Sequence, residues 1–215
     1  MQRLLVLLRG ASDVLDVARS LADHPGTRAV TAYVELDAPW PRTRHGLPIA
    51  TSFDAMIDVA ASDEVSMARA LSTVSALTAS AFVYRVDERR PRAYPRDWAD
   101  GAPTPGLFVI AAVGRATSAS VETFAAAWRD RHGPLALEHH AAMWDYRQDV
   151  VLERRPSSAP AFDGIARLGF PSVEAFETGF VGSQTGARAL AEDTATLVSH
   201  VEVALLREIV LWSNG

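Results

Sequence analysis

The apolar residues of this chain change period along its length in an order that occurs twice, and no other feature restricts the possible folds as much. Residues 2–9 read as a strand, 12–22 as a helix with Val14, Val17, Ala18 and Leu21 on one face, and 28–37 as a second strand. Residues 52–61 then alternate Phe53, Ala55, Ile57 and Val59 against Asp54, Met56 and Asp58, 64–77 is helical in period, and 80–90 alternates again. That order is βαββαβ. It returns after position 106: Leu107 to Val113 is an apolar strand, Val121, Phe124, Ala125 and Trp128 fall at helical spacing, and 143–154 and 162–170 read as strands. A helix opening at Ser172, a second near 187–195 and a strand from about Leu197 to Trp212 complete it.

Two such units predict an α+β chain of two tandem ferredoxin-like folds, packed sheet to sheet as a pseudo-dimeric α/β barrel. Each sheet has one face that must be covered, and joining the two covers both. Pro91, Pro95, Gly101, Pro103, Pro105 and Gly106 mark the junction, giving units at 1–95 and 106–215 with a linker at 96–105. The halves also share residues: Phe53-Asp54 and Phe162-Asp163 open their third strands 109 positions apart, and Tyr33 and Tyr146 sit in their second strands.

Composition removes much chemistry. Cysteine is absent and all 21 basic residues are arginine, so thiolate catalysis, lysine Schiff bases and the Walker lysine are excluded. A net charge of −5 offers no electrostatic reason to expect nucleic acid or an anionic membrane. No apolar run approaches the roughly 18 residues of a membrane span. The five-residue run Leu4–Leu8 fits a buried strand better than a signal peptide, so the cytoplasm is the expected compartment.

Three of the six histidines, His132, His139 and His140, fall within nine residues. Ser120 is the expected N-cap of the preceding helix, and Gly133-Pro134 reads as its stop signal. His132 follows Trp128 by four residues and continues the inward face of Phe124 and Trp128. A histidine there either caps the helix by donating to a carbonyl or serves as an acid or base near neutral pH. Pro134 then opens a short helix, on which His139 and His140 point about 100° apart and do not share one cavity. A metal set of His132, Glu138 and His139 lacks the spacing that fixes two ligands on one face, so no metal is expected. On the next strand Trp144, Tyr146 and Gln148 alternate together, and with Trp128 they would form an aromatic slot with a polar floor.

The second half resembles the EthD family of the dimeric α/β-barrel superfamily. The resemblance rests on Phe124, Trp128, His132-Gly133-Pro134, Tyr146 and Gln148, continues through Phe162-Asp163-Gly164 and Phe170 to Phe176, and ends at Glu192-Asp193. It covers about 105–210. The first half has no such motif after its first helix and reads as a degenerate copy standing where a partner subunit would, which implies one-sided chemistry. The family is similar to proteins of aromatic catabolism, muconolactone isomerisation and polyketide tailoring.

The resemblance therefore implies a cofactor-independent enzyme of lyase or isomerase type, acting on an aromatic, lactone or polyketide-like substrate by dehydration, decarboxylation or isomerisation. His132, Tyr146 and His139 are the candidate catalytic residues; Trp128, Phe124, Trp144, Gln148 and His140 are candidates for holding the substrate. The alternative is a non-catalytic protein that binds or stabilises a small ligand. Haem-dependent oxidation enters only through distant relatives and would show as a Soret band. A small molecule is the expected partner, with any homodimer using outer surfaces. Asp163 and Asp54 read as structural, His200 and Glu202 as an exposed polar patch, Asp193 as part of a turn, and His24 and His45-Gly46 as turns.

Overall fold

The computed structural model describes residues 1–11, 13–36, 45–48, 50, 52–77 and 81–213. The predicted element ends at 12, 37 and 80 lie outside these residues. The first half runs β1 (Gln2–Leu8), α1 (Val14–Ala22), β2 (Thr27–Glu35), β3 (Ala55–Ala61), α2 (Glu64–Leu77) and β4 (Ala81–Arg92). The second runs β5 (Leu107–Arg115), α3 (Val121–Ala127), a π-turn (Trp128–His132), α4 (Gly133–His139), β6 (Asp145–Arg155), β7 (Gly164–Phe170), α5 (Val173–Gly179), α6 (Gln184–Leu197) and β8 (Val198–Ser213). Among the described residues no helix is long and apolar enough to cross a membrane.

The strands close into one antiparallel barrel in the order β1-β3-β2-β8-β5-β7-β6-β4. Each half contributes four neighbours with the same internal order, and the pairs β2–β8 and β4–β6 form the two seams. The halves therefore share hydrogen-bonded edges as well as facing surfaces, which leaves no sheet edge unpaired among the described residues. Beyond β4 the chain turns back along β8, where Gly101 N donates to Val210 O at 2.7 Å and Thr104 N to Glu208 O at 2.8 Å.

Helices lie outside the barrel, so β1, β3 and β7 are covered on both faces, while the outer side of β6 stays open at Leu152. In β1, Leu4, Val6 and Leu8 pack beneath the first half's helices while Leu5 and Leu7 join the barrel interior. That two-sided burial explains the continuous apolar run. The alternation read in β3 is real, but its polar side faces inward: Asp58 and Met56 are buried. Inside, Arg167 is fully buried against Asp149 at 2.8 Å and also pairs with Asp58 and Glu88. Arg147 meets Asp145 at 2.9 Å and Glu208 at 3.2 Å, and Tyr33 donates to Glu208 at 2.9 Å.

The duplicated Phe-Asp pair has one job in both halves. Asp54 accepts from Gly10 N at 2.9 Å, just past β1, and Asp163 accepts from Arg115 N at 2.9 Å, at the end of β5. Tyr33 and Tyr146 are not equivalent in the same way. Tyr33 lies opposite Met56 and points into the barrel, whereas Tyr146 lies opposite Leu168 and points toward the helices. The place opposite Ile165 that would match Tyr33 is held by Asp149, three residues beyond Tyr146, and an odd offset on a strand exchanges faces.

Candidate functional site

Ser120 caps α3 as expected, its Oγ accepting from Thr123 N at 3.1 Å, and Phe124 and Trp128 are buried on the inner face. Gly133-Pro134 does not stop the helix. Gly133 adopts right-handed helical angles, φ −56° and ψ −51°, and its N–H bonds to the Trp128 carbonyl across a π-turn. In that register the Arg129 carbonyl would be partnered by residue 134, a proline with no N–H. The barrel wall supplies the missing donor: Arg89 Nη1 donates to Arg129 O at 2.9 Å, and Gln148 Nε2 donates to Trp128 O at 2.9 Å. Glycine suits this approach, because a Cβ at Gly133 would lie 3.3 Å from both side chains. The extra residue of the turn redirects the helix and leaves His132 at its end.

His132 comes to rest on a cavity of about 680 Å³ between the outer face of the second half's sheet and its helices. Val109, Leu168, Leu190 and Val203 supply apolar wall, with Trp128, Tyr146 and His140 also on the lining. Among the described residues no arginine, aspartate or glutamate lines it. His132 Nδ1 lies 2.9 Å from Asp193 Oδ2 on α6, and Asp193 also pairs with Arg131. A carboxylate so engaged only accepts, so Nδ1 carries the proton and Nε2 is left basic. Burial holds the His132 pKa below the ordinary imidazole value, opposed by the Asp193 hydrogen bond.

His140, the C-cap of α4, is buried with Nδ1 against the Phe180 carbonyl. Burial, more than the nearby His132, His139 and His45, pushes its pKa down to about 4. The Tyr146 hydroxyl accepts from Gln148 Nε2 at 3.0 Å. Burial raises its pKa, so it stays a neutral phenol and a donor.

Of the residues predicted for the site, His132, His140, Tyr146 and Trp128 meet on this one cavity. Gln148 shares Tyr146's side of the sheet, but works behind the wall as the brace between Tyr146 and Trp128. Phe124 is core, its ring 5.2 Å from Trp128. His139 points elsewhere: a Cβ at Gly186 would lie 2.9 Å from its ring, and it is absent from the lining. Trp144 departs from the predicted face. It precedes the first ladder pair of β6 at Asp145 and stacks 5.0 Å from Tyr94, against the barrel-interior cluster. The alternation that would have placed it beside Tyr146 begins one residue later.

Two contributors were not foreseen. Asp193, read as part of a turn, lies within α6 and orients His132 across 61 positions of sequence. His45 comes from the first half with a positive φ of 51°. Its ring stacks 4.9 Å from Phe180 on the cavity, and its Nε2 lies 3.1 Å from the Phe176 carbonyl. The segment is clipped to β8, since Val203 N donates to Pro48 O at 2.8 Å and Ala50 N to Val203 O at 2.7 Å. The cavity is thus completed by the half that lacks the motif. Glu202, predicted in an exposed patch with His200, accepts from Ser52 N at 2.9 Å and holds the same strap, while His200 is exposed. Among the described residues no group of three or more histidines and carboxylates is arranged to hold a metal ion.

Residues 116–200 match the sequence profile of the EthD domain. No curated protein matches the chain in sequence. Among solved structures it is similar to an anthrone oxidase-like protein, with a TM-score of 0.65 at 9% identity over 98% of this chain and 92% of that one. A protein from Lactobacillus acidophilus NCFM with a provisional monooxygenase name follows, with a TM-score of 0.56 at 11% identity over 99% and 97%. A variant of chlorite dismutase from Candidatus Nitrospira defluvii gives 0.52 at 13% identity over 98% and 91%. At such identities the agreement is one of fold, a fold that enzymes use. Residues 116–200 are thus similar to the EthD domain, and they lie within an eight-stranded α/β barrel closed by a single chain.

Proposed function

We propose that the cavity is the active site of a cofactor-independent enzyme of lyase or isomerase type, acting by proton transfer on a small aromatic, lactone or polyketide-like molecule. The observation that carries this reading is the His132–Asp193 pair on the wall of an apolar cavity. Asp193 fixes the tautomer, so Nε2 of a neutral imidazole is the base offered to a ligand. Removal of a carbon-bound proton beside a carbonyl places negative charge on the carbonyl oxygen. Tyr146, a neutral phenol on the same lining, is the donor available to that oxygen. The imidazolium then returns the proton to another carbon in an isomerisation or to a departing hydroxyl in a dehydration. An apolar wall excludes water and strengthens both interactions.

Exchange of the protons beside the carbonyl of 2-tetralone into deuterated water, followed by proton NMR, tests the reading without knowledge of the natural substrate. The protein accelerates exchange above buffer, and His132→Gln removes the acceleration while 2-tetralone still binds. Binding without exchange in the unaltered protein would instead establish the non-catalytic ligand-binding reading. Exchange that survives His132→Gln would end the proposed role of that residue.

A further inference from the structure

The polar groups of the cavity are unusual in sign and in count. The chain has 21 arginines, yet none lines this space among the described residues, nor does any carboxylate. No described residue of the lining would meet a charged ligand with a fixed opposite charge, and an unpaired ion in an apolar site is strongly disfavoured. Anionic lactone acids, aromatic carboxylates and phosphate esters are therefore poor occupants.

The hydrogen-bonding inventory narrows the class further. His140 Nδ1 faces a backbone carbonyl, which only accepts, so Nδ1 must carry the proton and Nε2 presents a lone pair. His132 is fixed in the same tautomer by the Asp193 carboxylate. Two imidazoles of the lining are thus set as acceptors. Tyr146 already accepts from Gln148 Nε2 and has its O–H left to give. His45 and Thr194 also reach the lining, but a ligand that satisfies His132, His140 and Tyr146 supplies two donors and one acceptor on an otherwise apolar frame.

We infer that the cavity selects an uncharged aromatic bearing at least two hydroxyl hydrogens, read by His132 and His140 as paired acceptors, with His140 a specificity-determining residue. This rests on the cavity being the ligand site proposed above, but not on catalysis there. A ketone or ether alone would satisfy Tyr146 and leave both imidazole lone pairs unmet. Leaving a buried acceptor unpaired weakens binding by about tenfold or more.

The test is a calorimetric ranking, at pH 8 on the unaltered protein, of 2,7-dihydroxynaphthalene, 2,7-dimethoxynaphthalene and 2-naphthoate. The diol binds at least about tenfold more tightly than the dimethyl ether, and the carboxylate binds more weakly than either. His140→Phe lowers affinity for the diol by about tenfold and leaves the ether nearly unchanged. Should that variant fail to fold, nitrogen-15 shifts of the unaltered protein's imidazoles decide the acceptor assignment: both Nε2 atoms are unprotonated at pH 8. Equal affinity for diol and ether, tight binding of the carboxylate, or a protonated Nε2 on His140 overturns the inference. Retention of the ranking in a protein that does not exchange 2-tetralone protons would sink the catalytic reading alone.

Discussion

His132 and Asp193 are 61 positions apart in the chain and 2.9 Å apart in space, so the carboxylate sets both the tautomer and the basicity of the ring. Asp193→Asn keeps the shape and removes the acceptor charge. We expect proton-exchange activity to fall by about 10²- to 10⁴-fold, with unfolding by urea little changed. The pH profile has a definite sign. His132 must be neutral to act as a base, and burial lowers its pKa, so activity falls on the acid side with a midpoint below 6.5 and is flat above. In Asp193→Asn that midpoint moves lower still, because the group that opposed the burial effect is gone; an unmoved midpoint would remove Asp193 from the account. His140 has a stability consequence instead. Its folded pKa of about 4 lies below the 6.5 of an unperturbed imidazole, so the unfolded chain binds its proton first. Stability is full above about pH 6.5 and declines as pH falls toward 4, by about 3 kcal/mol for this group. Urea midpoints measured from pH 7 to 4.5 should fall less steeply in His140→Phe.

At the scale of the element, the helix that carries the motif works because the barrel wall completes it. Gln148 and Arg89 occupy the Trp128 and Arg129 carbonyls of the π-turn. Gln148→Leu should therefore destabilise the fold by about 1–3 kcal/mol and loosen Trp128 and Tyr146 together, seen as a lower melting temperature and altered tryptophan fluorescence. Gly164 on β7 is the matching constraint from below, since a Cβ there would sit 2.3 Å from the Trp128 ring. Gly164→Ala overpacks that contact, at a cost of about 1–3 kcal/mol, and displaces the indole from the cavity. Unchanged fluorescence and probe affinity in this variant would show that Trp128 does not shape the site. The helix itself was readable from Phe124, Trp128 and the Ser120 cap. Its continuation past Gly133-Pro134 was not, because the donors that permit it come from β4 and β6.

The whole molecule is a closed barrel with ions at its centre. Arg167 holds the buried Asp58 and Asp149 and the partly exposed Glu88. Such a network need not add stability over a well-packed apolar core, but removing one member leaves the others charged and unpaired. Arg167→Met should cost about 3–5 kcal/mol in urea unfolding. Adding Asp149→Asn should recover part of that loss, because burial already pushes the Asp149 carboxyl up to about 6 and favours a neutral side chain there. An additive double variant would show that the two residues act separately. Both sheet edges are consumed within one chain, so association of copies would have to use the outer surfaces.

Periodicity alone determined the two βαββαβ units, because alternation and helical spacing are local properties that burial imposes on neighbouring residues. The duplicated Phe53-Asp54 and Phe162-Asp163 pairs were visible for the same reason. Tertiary structure decided which face of each strand is which. The polar side of β3 turns inward only because a second sheet brings Arg147 and Arg167 to meet it. Trp144 and Tyr146, two residues apart, fall on opposite sides of the wall because the strand begins between them. Asp193 and His45 joined the site through the packing of α6 and through a strap from the other half. Local sequence carries the periods of burial; the long-range pairing of strands and helices decides which side chains share a cavity.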